Sequence, residues 1–304
     1  MSEQLKISVI VNSYNYDRYI SETLDSVVAQ TLPVDEIVIV DDGSTDASCA
    51  VIVDYVEQHS HMKFIRKENG GQLSAFNVAA QHVTGDIVFF IDSDDIWRSD
   101  YIERIVEIYR SKTVDFVFCA YEEFGESNEV VRKYARDKDL GYSVAYTYFR
   151  KKFIGGPTAT ISLRSSTFFK IFPVDLEEDW RISADLPLVV GASLAGARKY
   201  YCASPLVLYR IHKKNAHKVH VKNSDYDYKF YYNREKTLNY FTAKFFLNEN
   251  SYANMIEKEI STSGIDIDNK TLKKYLKIVY AQKKPLSWKI KNYLKIVKKL
   301  GRNS

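Results

Sequence analysis

Apolar residues in the first hundred positions follow two alternating rhythms. The short runs KISVIV, EIVIV, MKFIR and DIVFFI read as strands, and the segments between them carry apolar residues at helical spacing. In YDRYISETLDSVVAQ, residues Tyr19, Ile20, Leu24, Val27 and Val28 share one helix face, and ASCAVIVDYVEQ and GQLSAFNVAAQHV fill the other two gaps in the same way. Strict alternation predicts βαβ units: an α/β fold with a mostly parallel central sheet and helices on both faces. Past Asp100 the rhythm loosens. VDFVFCAY reads as a strand, GGPTATISLR as a turn and strand, and KYYCASPLVLYRIH as two short strands. ISADLPLVVGASLAG predicts a helix starting about Ser183, with Ile182, Leu186, Val189, Val190 and Leu194 on its apolar face. From about Asn215 the chain is Tyr- and Lys-rich and helical, which predicts a main domain over 1–215 and a helical extension over 216–304.

In such sheets ligands bind beyond the carboxyl ends of the strands, where strand order reverses. The unusual polar clusters stand there: NSYN (Asn12–Asn15) after the first strand, DDGSTD (Asp41–Asp46) after the second, and DSDD (Asp92–Asp95) after the fourth. A turn and helix cap account for Gly43, Ser44 and Asp46 but leave Asp41 and Asp42, strand-end carboxylates able to accept from the N–H of a planar base. In DSDD, neighbouring charges raise one another's pKa and burial makes each charge costlier, so the cluster needs a cation. Hard oxygen ligands at i, i+2 suit Mg²⁺ or Mn²⁺, completed by phosphate and water; three solvated aspartates before a helix are the plainer alternative. ENGGQLSAFN places two glycines before a helix, either a simple turn or a diphosphate seat at a helix N-terminus. It lacks the dinucleotide pattern G-x-G-x-x-G, and no His/Cys spacing suits zinc.

The whole chain narrows the classes. Its longest apolar run, LPLVVGASLAGA, is too short to cross a membrane, and MSEQLKISVIV lacks the features of a secretory leader. Cys49, Cys119 and Cys202 are widely spaced in apolar surroundings and read as free thiols in a reducing compartment, so a cytoplasmic protein is expected. The net charge of +4 conceals an asymmetry: residues 270–304 hold twelve of the 43 Lys and Arg and none of the 39 Asp and Glu. In SWKIKNYLKIVKKL, residues Ile290, Tyr293, Leu294, Val297 and Leu300 share one helix face. Such a helix either lies on an anionic membrane, through residues 285–304 with Trp288 at the headgroups, or packs on the body. Lysine without arginine within SWKIKNYLKIVKKL argues against nucleic acid as a partner.

The stretches ISVIVNSYNYDRYISETLDSVVAQTLPVDEIVIVDDGSTD, NGGQLSAFNVA and GDIVFFIDSDDIW resemble the family 2 glycosyltransferases, inverting enzymes of the Rossmann-like GT-A fold. WRISADLPLVVGASLAGARKYYCASPLVLYRIHKKN is similar to that family's second signature, and together the motifs cover residues 5–215. The resemblance implies that Asn12 and Tyr14 flank a nucleobase such as uracil, that Asp42 and Asp41 accept from its ring N–H, and that Gly71 and Gln72 contact the nucleotide. It implies Asp92 towards ribose and metal, Asp94 as direct ligand of Mn²⁺ or Mg²⁺, and Asp185 as catalytic base. His212 becomes a further metal or diphosphate contact, and Arg210 a diphosphate contact. Two departures stand out. Ala184-Asp185 replaces Glu-Asp and keeps the base; Ala75-Phe76-Asn77 replaces Ala-Arg-Asn and removes a cation that Arg66, Lys67 or Arg210 would have to supply. Asp179 competes with Asp185, and Asp95 reads as a residue that caps or orients the next helix. The implied partners are a nucleotide-sugar donor and a glycan or lipid-linked acceptor in surface polysaccharide assembly. A sugar-phosphate nucleotidyltransferase would open with a Gly-rich loop, which VNSYNYDRY lacks; a non-catalytic nucleotide-sugar or glycan-binding module is the remaining alternative. A glycosidase needs two carboxylates flanking the sugar bond and no nucleotide site.

Overall fold

The computed structural model describes residues 5–213, 224–262 and 264–300; the expected boundary at 215–216, residues 301–304 and the Leu300 side chain lie outside these. Strands β1 (Ile7–Ser13), β2 (Glu36–Asp41), β3 (Met62–Arg66) and β4 (Ile87–Asp92) alternate with helices α1 (Ile20–Val28), α2 (Ser48–Gln58) and α3 (Gln72–Ala79). The strands run parallel in the order β3-β2-β1-β4. Successive strand side chains point to opposite faces. Val9, Val11, Ile37, Ile39 and Phe89 therefore pack with Ile20, Leu24 and Ile52 on one face, while Ile10, Val38, Val40, Val88 and Phe90 pack with Leu73, Phe76 and Ala79 on the other. Both faces are covered, which explains near-continuous apolar runs in place of alternation.

The sheet becomes mixed beyond β4. After β5 (Ile96–Trp97) and α4 (Tyr101–Ser111) come β6 (Phe116–Gly125), β7 (Val130–Val131), β8 (Lys138–Gly141) and α5 (Val144–Arg150). Then follow β9 (Ile161–Arg164), α6 (Ser165–Ile171), α7 (Asp185–Leu194) and β10 (Lys199–Ile211). β9 inserts antiparallel between β4 and β6, and β10 runs parallel to β6. Where two short strands were expected, β10 is one strand whose register shifts on either side of Pro205. Proline has no N–H for the ladder, so the interruption is local.

Helices α8 (Ser224–Lys244), α9 (Glu249–Thr262), α10 (Asn269–Ala281) and α11 (Leu286–Leu300) complete the described chain. Leu238, Phe241, Tyr252, Ile256, Tyr275 and Ile296 belong to the same buried cluster as Phe168, Ile171 and Leu188, so these helices extend the core of one sheet face. The crossing of α7 and α8 requires a glycine: a Cβ on Gly191 would lie 2.7 Å from the Phe241 ring and 2.8 Å from Ile171. In α11 the face that packs is Asn292 and Ile296, with Trp288 beside them, while Ile290, Tyr293, Leu294 and Val297 are exposed.

One buried charge ties the extension to the sheet domain. Glu259 on α9 accepts from the backbone N–H of Ala145 at 2.7 Å and Tyr146 at 3.1 Å, filling the otherwise unpaired N-terminus of α5. Burial pushes its carboxyl from 4.5 up to about 7, against those hydrogen bonds, which lower it. The folded state therefore holds the proton more tightly than the unfolded chain. The stability from this group is complete below the unfolded value and is lost as pH rises through the folded one. About 3 kcal/mol is expected to disappear between pH 4.5 and pH 7 through Glu259. Chemical denaturation across that range checks this: Glu259→Gln should flatten the wild-type slope, and an unchanged slope would exclude Glu259 as its source.

Candidate active site

The carboxyl ends of β1 and β4 lie side by side, with Asn12 in register with Asp92, at the point where successive connections diverge to opposite sides of β1. A cleft of about 530 Å³ opens there, and its wall includes Asn12, Tyr14, Asp42, Gly71, Gln72, Asp92, Asp94 and Asp185. Three expected residues are not on that wall: Asp41, Arg210 and His212.

Each placement has a local cause. Asp41 is fully buried and closes its own turn, accepting from Ser44 N at 2.8 Å, Ser44 Oγ at 2.5 Å and Cys49 Sγ at 3.3 Å. Ser44 thus serves Asp41 rather than the helix, whereas Asp46 accepts from Ser48 N at 3.0 Å, inside the first turn of α2. Asp42 accepts from Lys67 Nζ at 2.7 Å and Gly70 N at 2.9 Å through Oδ1, and from Gly71 N at 2.7 Å through Oδ2. An ionised carboxylate offers about four lone-pair sites, so Oδ2 keeps one for a ligand.

Asp92 receives Asn12 Nδ2 at 2.5 Å and Gln72 Nε2 at 2.7 Å. Gln72 also accepts from Ala184 N at 2.9 Å, so one side chain joins the β4 carboxylate to the residue preceding Asp185. Burial and the charge of Asp94 push Asp92 up to about 7; the Asn12 hydrogen bond opposes them, and the charge of Asp185 adds to them. His212 Nε2 stands 3.0 Å from Asp94 Oδ2, and the Tyr16 hydroxyl also hydrogen-bonds Asp94. Tyr16 is held well above the ordinary phenol range by burial and then by the charges of Asp94, Asp92 and Asp95.

Arg210 braces this turn from behind. Its Nε donates to Asp94 O at 2.8 Å, Glu22 pairs with it at 2.8 Å, and its guanidinium lies 4.5 Å from the Tyr19 ring and 4.4 Å from Phe124. Asp95 does not cap α4. It is buried, accepts from Arg210 N at 2.9 Å, and burial with the Asp94 and Asp92 charges raises its pKa strongly.

Across the cleft, Asp185 is the first residue of α7, at the end of the helix where the peptide dipoles place positive charge. The competitor Asp179 is engaged elsewhere: Lys236 pairs with its carboxylate at 2.6 Å. Ser183, on the cleft wall, has φ of 61°. A non-glycine residue in the left-handed region costs about 1–3 kcal/mol and persists where the surroundings hold it.

The family model for glycosyl transferase family 2 matches residues 8–172, more than half of the chain. The chain belongs to that family. It is 36% identical over 219 residues to an uncharacterized glycosyltransferase of Nostoc sp., covering 70% of this chain and 67% of that one. It is 28% identical over 138 residues to Escherichia coli WfgD, named UDP-Glc:alpha-D-GlcNAc-diphosphoundecaprenol beta-1,3-glucosyltransferase, covering 45% of this chain and 53% of that one. The crystal structure of Staphylococcus aureus TarS 1-349 in complex with UDP-GlcNAc superimposes with a TM-score of 0.60 at 19% identity, covering 99% of this chain and 93% of that one. The fold is therefore the GT-A fold with a C-terminal helical extension.

In this glycosyltransferase the departure at Phe76 is absorbed by the core. The ring is fully buried, 5.2 Å from that of Phe90, so a cation there would have no solvent. Among the described residues the cation on the cleft wall is Arg181, whose guanidinium donates to the backbone and side chain of Asn69. Sequence reasoning passed over Arg181, Tyr16, Thr158, Ser183 and Tyr209, all on the wall. Arg181 stands inside the quoted WRISAD, and asking which cation flanks the base segment would have found it; Ser183 carries its signal only in the backbone.

As for a metal, no cluster of three ligating side chains occurs among the described residues. Asp94 and His212, with Asp92 nearby, would be the donors at this strand end for an ion that takes its other ligands from phosphate and water, as Mg²⁺ and Mn²⁺ do.

Proposed function

We propose that this glycosyltransferase moves a sugar from a nucleoside diphosphate sugar, with UDP as nucleotide, to a hydroxyl of a glycan or lipid-linked acceptor in surface polysaccharide assembly. The observation that carries this is the placement of Asp185 at the head of α7, on the wall of the cleft that holds Asp92 and Asp94. TarS in its UDP-GlcNAc complex and the activity in the name of WfgD support the donor and acceptor classes.

Asn12 and Tyr14 flank the base, and the remaining lone pair of Asp42 accepts its ring N–H. Gly71, Gln72 and Arg181 face the diphosphate. Arg210 acts on it indirectly, by holding the Asp94 turn. Asp94, His212 and Asp92 would hold Mn²⁺ or Mg²⁺, which supplies positive charge against the charge developing on the departing diphosphate. Asp185 takes the proton of the acceptor hydroxyl as that oxygen attacks the anomeric carbon from the face opposite the diphosphate. One displacement inverts the configuration and needs no covalent sugar intermediate. The reading extends to a cytoplasmic protein attached to the inner face of the cell membrane through residues 285–304.

The test is release of nucleoside diphosphate from a panel of nucleotide sugars with Mn²⁺ or Mg²⁺, with UDP-sugars turned over first; no turnover of any donor would sink the reading. With metal present, Asp94→Ala should weaken nucleotide binding by about tenfold or more in calorimetry, on the scale of one lost charge-assisted contact. In excess chelator the variant and wild type should converge. Equal affinities in Mn²⁺ would remove Asp94 from the ligand set.

A further inference from the structure

The outward side of α10 and α11 combines two features the transfer reaction leaves unused. Arg150 at the end of α5 and Lys270, Lys273, Lys274 and Lys277 of α10 are the described residues that line a recess of about 440 Å³. Beside it, α11 exposes Leu286, Ile290, Tyr293, Leu294 and Val297, with Leu286 at 68% and Leu294 at 59% of full exposure.

Contacts fix how these features lie. α10 turns Leu272, Tyr275 and Val279 into the core. It meets α5 where Lys274 Nζ donates to Phe149 O at 2.6 Å, and α11 where Lys289 Nζ donates to Tyr280 O at 2.8 Å. Lys270, Lys273 and Lys277 therefore face outward between α5 and α11. α11 buries Asn292 and Ile296, and its Lys291 and Lys295 pair with Glu257 of α9, so its apolar stripe points away from the body. The Asp268 carboxylate stands 3.5 Å from Arg150 and 3.9 Å from Lys152. From residue 270 to the end of the sequence there is no other acid.

We propose that this side docks on a membrane of anionic phospholipid, with the lipid phosphates in the lysine recess and the α11 stripe at the acyl boundary. The proposal rests on the membrane reading above and names the face and the headgroup chemistry. Charge decides between occupants. A second copy meeting this face about a twofold axis would bring lysines against lysines, whereas a phosphate surface is complementary to them. A contiguous apolar stripe rimmed by lysine is the pattern of helices that lie in the interface plane.

Vesicle co-sedimentation of the full chain tests it, comparing phosphatidylglycerol/phosphatidylcholine with phosphatidylcholine alone. Binding is expected on the anionic vesicles, falling about a hundredfold in Lys270→Gln/Lys273→Gln/Lys277→Gln, with each lysine contributing a comparable factor. Ile290→Ser/Leu294→Ser should also lower it by at least about tenfold, by removing buried apolar area. Melting midpoints unchanged from wild type show that both variants fold. Wild type that ignores anionic vesicles overturns the membrane reading and this one together, without touching donor turnover. Lysine variants that bind like wild type overturn the recess alone. Self-association in ultracentrifugation, abolished by the α11 changes and without vesicle binding, assigns the face to a second copy. Saturation by inorganic phosphate without vesicle binding makes the recess a soluble-anion site and also overturns the proposal.

Discussion

Asp185→Asn is expected to lower kcat for sugar transfer by about a thousandfold, within the range that positioned general bases contribute, and to leave nucleotide affinity within about twofold of wild type. The split follows from the architecture. Asp185 stands at the start of α7, while the proposed nucleotide contacts stand at the ends of β1, β2 and β4, and the link between the two walls uses the backbone N–H of Ala184, which the substitution leaves in place. Asparagine keeps the shape and removes only the capacity to take a proton. One electrostatic side effect adds a second readout. The charge of Asp185 helps raise the Asp92 carboxyl. Removing it lowers the Asp92 pKa, so metal-dependent nucleotide binding should persist to lower pH in the variant than in the wild type. Steady-state kinetics and calorimetry against pH check both; wild-type turnover in Asp185→Asn would take the base role away from it.

The legible parts of this molecule are those where local pattern and tertiary environment agree. β1 to β4 and the three helices between them were readable because strands covered on both faces give apolar runs and surface helices give one stripe. Asp92, Asp94 and Asp185 were readable as residue types at strand and helix ends. Functions set by a partner were not. Gln72 reads as a nucleotide contact, and the bridge its amide makes between Asp92 and Ala184 has no signal in the sequence. Asp41, the last residue of β2, and Asp42, the residue after it, are adjacent in sequence but hold different partners, so one closes a turn and the other faces the cleft. The tail shows the same limit. Amphipathicity identified an apolar stripe but not that α11 packs by Asn292 and Ile296 and leaves that stripe outside.

Gly71→Ala is expected to be the most damaging single methyl in the cleft, while Gly70→Ala beside it should be mild. Gly71 has φ of +88°, and a Cβ there would fall 2.3 Å from Arg181 Cα and 2.8 Å from Arg181 O. Backbone cannot rotate aside as a side chain can, so the loop and the 180–182 segment must separate. That breaks the bonds from Gln72 N to Arg181 O at 2.8 Å and from Leu73 N to Trp180 O at 3.3 Å, and moves the Gly71 N–H that Asp42 holds. Left-handed strain and overpacking each cost about 1–3 kcal/mol, so about 3 kcal/mol of stability should be lost overall. A displacement of about 1 Å between the nucleotide wall and the Asp185 wall should lower kcat/KM by about a hundredfold. At Gly70 the added Cβ meets Ser74 Oγ at 2.7 Å, Lys67 Nζ at 2.8 Å and Ser74 Cβ at 3.0 Å, which are side-chain atoms and no backbone. Less than about 1 kcal/mol is expected there, typical of a substitution that can relax. Melting midpoints and kinetics of the two variants separate the explanations. Equal losses would mean that the glycine pair serves only as a turn; a large loss confined to Gly71 would mean that the two walls of the cleft meet at this residue and that its missing side chain sets the distance between the proposed nucleotide contacts and the proposed base.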